Sequence, residues 1–437
     1  MDHVNLTDHL GAPLDRPLTL AIVGAGARGS NYARLAAELG PDRVRVVAVA
    51  EPDPRRREPL RAQWRIPDER AFTDWSELAA RPRMADAAVV ATLDPDHLGA
   101  ATALAGAGYD LLLEKPVATD EADCEAIGRA VERAGVTAAV CHVLRYTPYT
   151  TALKRLVDSG AIGEVVSVEH LEPIGFDHFA HSYVRGNWRN EATSGFSLLT
   201  KSCHDVDWLT YLVGRPAVKV SSFGGLHHFR PERRPAGAAD RCVHCPGEVE
   251  AACPYSAARM YRDGLREGSG YGFFTRVMAG ELTSEAVERE LHHGDYGRCV
   301  YTSDNDVADH QVVGIEFEGG ATASFTMTAF TPLEDRRTKV FGTRGQVTGD
   351  GRHFHVFDFL TGRTTSTDTW ARDGSGALGH GGGDAGLMTA FVNALCQGRP
   401  ELIRSGIAES VATHRTVFAA EASRLNGTVV HLPTREG

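Results

Sequence analysis

Residues 18–30 read LTLAIV-GAGARG-S: a run from Leu18 to Val23 with five apolar residues in six, then Gly24-Ala25-Gly26-Ala27-Arg28-Gly29, then a helical pattern from Ser30 to about Leu39. A short apolar run of this kind fits a strand buried on both faces. Strand, glycine loop and helix in immediate succession give a G-x-G-x-x-G hexad its mechanism. Gly24 permits the tight turn, Gly26 lets the backbone approach a pyrophosphate, and Gly29 lets the helix pack closely on the strand. Backbone N–H groups of the first helical turn, at Ala27 and Arg28, then face the anion. The bland alternative is a glycine turn without a ligand.

The same alternation repeats outward from this unit. Apolar runs at Val44–Ala50, Ala87–Ala91, Tyr109–Leu113 and Val136–Cys141 are separated by helical stretches such as Asp96–Ala107 and Glu121–Ala134. Buried strands alternating with helices predict a parallel sheet covered on both faces, a doubly wound Rossmann domain over residues 1–147. Glu51 ends the second run, 22 positions past Gly29. A carboxylate there accepts hydrogen bonds from ribose hydroxyls and repels a 2′-phosphate, which favours NAD over NADP. Arg55, Arg56 and Arg57 follow, either as a solvated first turn or as a phosphate site.

From residue 148 the pattern changes. Gly163–Ile174 is strand-like and Ser202–Val213 reads as a helix with one apolar face. Alternating runs at Gln311–Phe317, Thr322–Phe330, Thr338–Val347 and His353–Phe359 predict a large, mostly antiparallel sheet open on one face. Helical segments at Gly386–Cys396 and Ile407–Leu425 finish the chain. The fold class is therefore α/β: an N-terminal Rossmann domain, then an α+β domain over 148–437 with an irregular, cysteine-bearing insert at about 226–300.

The fourth apolar run ends in Glu114-Lys115-Pro116. With the glycine motif and the two-domain layout, it resembles the Gfo/Idh/MocA family of sugar-type oxidoreductases. The resemblance implies that this element closes the nucleotide domain, with Glu114, Lys115 and Pro116 against the cofactor and Lys115 reaching the substrate. A second segment, Leu198-Leu199-Thr200-Lys201-Ser202-Cys203-His204-Asp205-Val206-Asp207, looks like the family's D-x-x-x-H element. His204 matches its histidine, which exchanges the hydroxyl proton as hydride moves; an imidazole suits both directions. The family's aspartate falls on Thr200, which cannot hold a proton or a charge in its place. Lys201 follows, as a second cation for an anionic substrate group or as a solvated lysine. The resemblance also marks one subgroup by Tyr183, Arg185, Asn187 and Trp188, which offer donors and an aromatic face to a sugar. His380 and Asp384 border a glycine stretch expected to form a loop over the pocket. Assembly as a homodimer or homotetramer through the open sheet is implied as well.

Cys242-x2-Cys245, Cys253 and the distant Cys299 are grouped, and four thiolates bind zinc tetrahedrally. A closed structural zinc site would tie the insert to the domain; the alternative is a set of reduced thiols.

The chain has 437 residues, enough for two cores, and 57 acidic against 46 basic side chains. An acidic balance argues against nucleic acid and acidic membrane as partners. No apolar run is long enough to cross a membrane, and Met1–Pro17 lacks the apolar stretch of a signal peptide, so the cytoplasm is the expected compartment. The expected reaction is NAD-dependent redox chemistry at a hydroxyl-bearing carbon of a sugar or cyclic polyol. A rival use of the same site is an NAD-dependent glycoside hydrolase that oxidises a hydroxyl transiently, eliminates the leaving group, adds water and re-reduces. An anionic sugar such as a sulfosugar glycoside would suit it. A non-catalytic dinucleotide sensor is a third reading, which Lys115 and His204 disfavour.

Overall fold

The computed structural model describes residues 16–370 and 379–433. Six strands build the first sheet: β1 (Leu18–Val23), β2 (Val44–Ala50), β3 (Ala71–Phe72), β4 (Ala87–Val90), β5 (Asp110–Leu113) and β6 (Ala138–Val140). Their order is β3-β2-β1-β4-β5-β6, and every pairing is parallel. The chain leaves β1 first to one side and then to the other. The crevice at the carboxyl end of β1, where the glycine hexad sits, is therefore the topological switch point at which such sheets bind ligands.

Alternation along β1 divides the core in two. Leu20 and Ile22 pack under the helices Ala27–Leu39 and Gly383–Gln397, whereas Ala21 and Val23 pack under His97–Gly106 and Glu121–Ala134. Residues after 148 are expected in the second domain, yet Leu387, Met388, Phe391 and Val392 of the helix Gly383–Gln397 are buried in the first. That apolar stripe completes one of the layers the parallel sheet requires.

The second sheet contains β7 (Val165–Pro173), β8 (Ala217–Gly225), β9 (His310–Phe317), β10 (Thr322–Thr328), β11 (Arg337–Gly342), β12 (Gly345–Gly349), β13 (His353–Asp358), β14 (Thr364–Asp368) and β15 (Val430–His431). Their order is β14-β13-β12-β11-β7-β10-β9-β8-β15. Only β7 and β10 pair in parallel; the rest are antiparallel. One face is buried with side chains of the helices Cys203–Val213 and Ile407–Asn426. The other leaves Val166, Phe223, Val312 and Phe357 exposed, so the sheet is open-faced. The insert forms four short helices, Gly247–Ala252, Ala257–Asp263, Gly272–Ala279 and Ser284–His293, with a small core around Tyr261, Phe274 and Leu291. Among the described residues no helix is long and apolar enough to cross a membrane.

Candidate active site

The glycines of the hexad meet different demands. Gly24 has φ +89°, and a Cβ there would stand 2.3 Å from the Ala91 carbonyl oxygen. At Gly29 a Cβ would stand 1.9 Å from the Gly24 carbonyl oxygen. Both are steric requirements of the turn. Gly26 differs: the nearest atom to its Cβ position is Arg56 Nη1 at 3.9 Å, so this side of the loop is open. An open approach to the N-terminus of the helix Ala27–Leu39 fits a pyrophosphate. Glu51 Oε2 accepts from Ala25 N–H at 2.7 Å and Oε1 from Asp53 N–H at 2.9 Å. The carboxylate thus pins the loop to the end of β2 and retains lone pairs for ribose hydroxyls. Arg55 and Arg56 lie in solvent beside Asp53, while Arg57 Nη1 donates to the Glu51 carbonyl at 2.7 Å.

Arg28 clasps three segments. Its Nε donates to Glu114 Oε1 at 2.6 Å and its Nη2 to Asp384 Oδ1 at 2.5 Å and Tyr32 Oη at 2.7 Å. Asp384 Oδ2 in turn meets His380 Nδ1 at 2.7 Å. His380 is half exposed on a left-handed backbone, φ +51°. The late glycine stretch is therefore joined to the nucleotide loop through its two flanking polar residues.

Lys115 projects from the end of β5, preceding a cis bond to Pro116. The turn is held from two sides: His97 Nδ1 donates to the Pro116 carbonyl at 2.8 Å, and Val117 N–H donates to His414 Nε2 at 3.0 Å. So supported, Lys115 Nζ donates to the Thr200 carbonyl at 2.5 Å. Four residues on, His204 occupies the first turn of the helix Cys203–Val213 and interacts electrostatically with Lys115. That helix is anchored by Asp205, paired with His170 and Arg336, and by Asp207, whose two carboxylate oxygens accept from Nε and Nη2 of Arg145 at 2.7 Å each. Lys201 Nζ lies 3.1 Å from Glu172 Oε1, so its charge is partnered. Tyr183 is buried, stacks on Phe179 at 5.1 Å, and lies 6.1 Å from the Trp188 ring. Trp188 Nε1 donates to Asp94 Oδ2 at 3.1 Å. Asp94, just past the carboxyl end of β4, is half-buried close to Lys115, and sequence reasoning missed it.

Residues 18–142 match the oxidoreductase family's NAD-binding Rossmann fold, and residues 154–369 match its C-terminal alpha/beta domain. The chain belongs to the Gfo/Idh/MocA family. Inositol 2-dehydrogenase 1 of Saccharopolyspora erythraea is 30% identical over 225 residues, 50% of this chain and 59% of that protein. A 2,7-anhydro-N-acetylneuraminate hydratase of Mediterraneibacter gnavus is 26% identical over 205 residues, 47% of this chain and 52% of that protein. Levoglucosan dehydrogenase, solved with NADH and levoglucosan, superposes with a TM-score of 0.70 at 18% identity, over 96% of this chain and 100% of that one. That likeness shows the fold.

On this Gfo/Idh/MocA scaffold, burial keeps a group of histidines neutral. Burial pushes His142 and His181 down to about 3 and His414 to about 4. His204 is held well below its ordinary value by burial, then by Lys115 and His142. Asp94 moves the other way, raised by burial although His97 and Lys115 oppose it. In the unfolded chain a histidine titrates near 6.5. Below that pH the unfolded state takes up protons that the folded state refuses, so stability falls as pH drops from about 6.5 towards the folded values. The slope is about 1.4 kcal/mol per pH unit for each such histidine. Urea midpoints should accordingly be clearly lower at pH 5 than at pH 7.5; equal midpoints would contradict the neutral assignment.

Two further expected site residues, Arg185 and Asn187, differ in their surroundings. Arg185 is 1% exposed and its donors go to the insert: Nε to the Arg298 carbonyl at 2.8 Å and Nη2 to the Tyr255 carbonyl at 2.8 Å. Asn187 is exposed. The zinc expectation is not supported by the structure. Cys242, Cys245, Cys253 and Cys299 do line one cavity, but among the described residues no group of three or more His, Cys, Asp or Glu is placed to hold a metal ion.

Proposed function

We propose that the chain is an NAD-dependent oxidoreductase acting on a hydroxyl-bearing carbon of a sugar or cyclic polyol. The observation that carries this reading is the meeting of Lys115, at the carboxyl end of the parallel sheet, with the Thr200–His204 segment of the second domain. Gly26, the first turn of the helix Ala27–Leu39, Glu51 and Glu114 would hold the dinucleotide, which when bound supplies the hydride acceptor. Lys115 orients the substrate oxygen and stabilises negative charge developing on it. His204, 8% exposed, takes the hydroxyl proton. Tyr183 and Trp188 offer an aromatic wall, and Asp94, held by Trp188, keeps a carboxyl group beside Lys115 where Thr200 supplies none.

The glycoside hydrolase reading uses the same residues. It is favoured by Thr200 in place of a carboxylate and by similarity to a protein named as a hydratase of an anhydro sugar acid. Lys201, although paired with Glu172, keeps a cation near the pocket for an anionic sugar. One assay separates the two: the protein with NAD and a panel of nitrophenyl glycosides, free sugars and inositols, following NADH and nitrophenol together. NADH accumulation on a free sugar or polyol is the expected result. Nitrophenol release without NADH would replace it with the hydrolase, and neither signal across the panel would favour the sensor.

A further inference from the structure

The insert carries a set of thiols that none of the chemistry above uses. Cys242, Cys245, Cys253 and Cys299 line one cavity with Arg185 and Tyr255. All four are free. They come from three places: the turn Cys242–His244 with Cys245 after it, the end of the helix Gly247–Ala252, and the segment after Gly297. The bridge between Arg241 and Arg298 joins the segments that carry Cys242 and Cys299, with Cys299 N–H donating to the Asp240 carbonyl at 2.8 Å, and the two thiols are near enough to interact electrostatically. Backbone amides are aimed at the sulfurs: Ala239 N–H at Cys245 Sγ, 3.3 Å, and Ala257 N–H at Cys242 Sγ, 3.4 Å. Arg185 Nη2 reaches Cys242 Sγ at 3.7 Å. Hydrogen bonds to the ligating sulfurs are among the features that tune metal–sulfur centres.

A single zinc, with about 2.3 Å to each sulfur, would draw the ligands together around one point. No such group exists among the described residues. In an iron–sulfide core each thiolate binds a different iron, so four sulfurs spread around a shared cavity are what it needs. Cys245 and Cys253 are each followed by proline, the neighbour found after a ligating cysteine in one iron–sulfur ligand run. We infer that these four cysteines hold one iron–sulfur cluster of the four-iron class, which fastens the insert to the second domain beside Arg185. Insertion of a core of two ferrous and two ferric ions with four sulfides releases the four thiol protons to solvent and moves no electrons.

The test is elemental. The full chain purified without oxygen should contain about four iron and four acid-labile sulfide per chain and show a visible charge-transfer absorption that dithionite bleaches. Cys253→Ser should lose most of the iron, whereas Cys396→Ser, a thiol outside the cavity, should keep it. Should Cys253→Ser not fold, wild-type protein stripped of metal and supplied with equal ferrous and ferric iron and with sulfide should recover the same content. One zinc per chain without iron would overturn the proposal. So would four freely titrating thiols in protein that takes up no iron on reconstitution.

Discussion

Replacing Lys115 by alanine is expected to lower kcat at least about 100-fold while leaving NAD binding within a few-fold of wild type. The two effects separate because the lysine is attached to the cofactor domain but spends its ammonium on the second. Its backbone N–H donates to Glu114 Oε2 at 3.1 Å, and its Nζ crosses to the Thr200 carbonyl. The glycine loop is held by Glu51 and Arg28, neither of which needs the lysine side chain. Lys115→Arg keeps the charge but brings a wider, planar head into a space closed by Asp94 and the His204 helix, so it should restore little. NAD titration by protein fluorescence, together with steady-state kinetics on the best substrate of the panel, checks both halves. An unchanged kcat would remove Lys115 from the chemistry. A collapse of NAD binding would make it a structural residue of the cofactor domain.

What the sequence reveals follows burial. β1 and β2 stand out because they are almost wholly buried, and the helix Glu121–Ala134 because Cys124, Ile127 and Val131 form an apolar stripe. β14 carries no such signal: Thr364 to Thr367 are all exposed, so nothing in the alternation distinguishes this edge strand from a loop. β8 is hidden by Ser221, Ser222, Gly224 and Gly225, although Val220 and Ser222 are buried. The run Thr338–Val347, expected as one strand, is two. Gly342 and Gly345 flank a two-residue turn where added Cβ atoms would meet the Ile162 carbonyl oxygen at 2.2 Å and the Phe357 carbonyl oxygen at 2.9 Å.

The site divides along the same line. Lys115 and His204 lie within compact local patterns, so their order along the chain reveals them. Asp94 becomes significant only through Trp188, 94 positions away, and no local pattern reports that contact. Arg185 shows the opposite failure. It stands two residues past Tyr183 in a π-helical stretch, Ala180–Arg185, whose wider turn changes which side chains share a face. Tyr183 faces Phe179 and Trp188, and Arg185 goes to the insert. Proximity in sequence suggested one binding surface where the backbone makes two.

His204→Asn is expected to reduce oxidation about 100-fold or more and to abolish the acid limb of the pH profile. The wild-type limb should itself lie well below pH 6.5. Burial, Lys115 and His142 all disfavour the imidazolium, so the ring remains a neutral base throughout the neutral range and is protonated only on the acid side of it. Oxidation, which needs the neutral ring, should thus hold a plateau down through pH 6.5. The reverse reduction needs the protonated ring and should gain as pH falls. Lys115 is one cause of the shift, so the residual activity of Lys115→Met should show its acid limb moved up towards 6.5. Profiles of kcat/KM in both directions for wild type, Lys115→Met and His204→Asn decide the point. A wild-type acid limb that persists unchanged in His204→Asn would assign the proton to another group, with Asp94, raised by desolvation although Lys115 opposes it, the first to test.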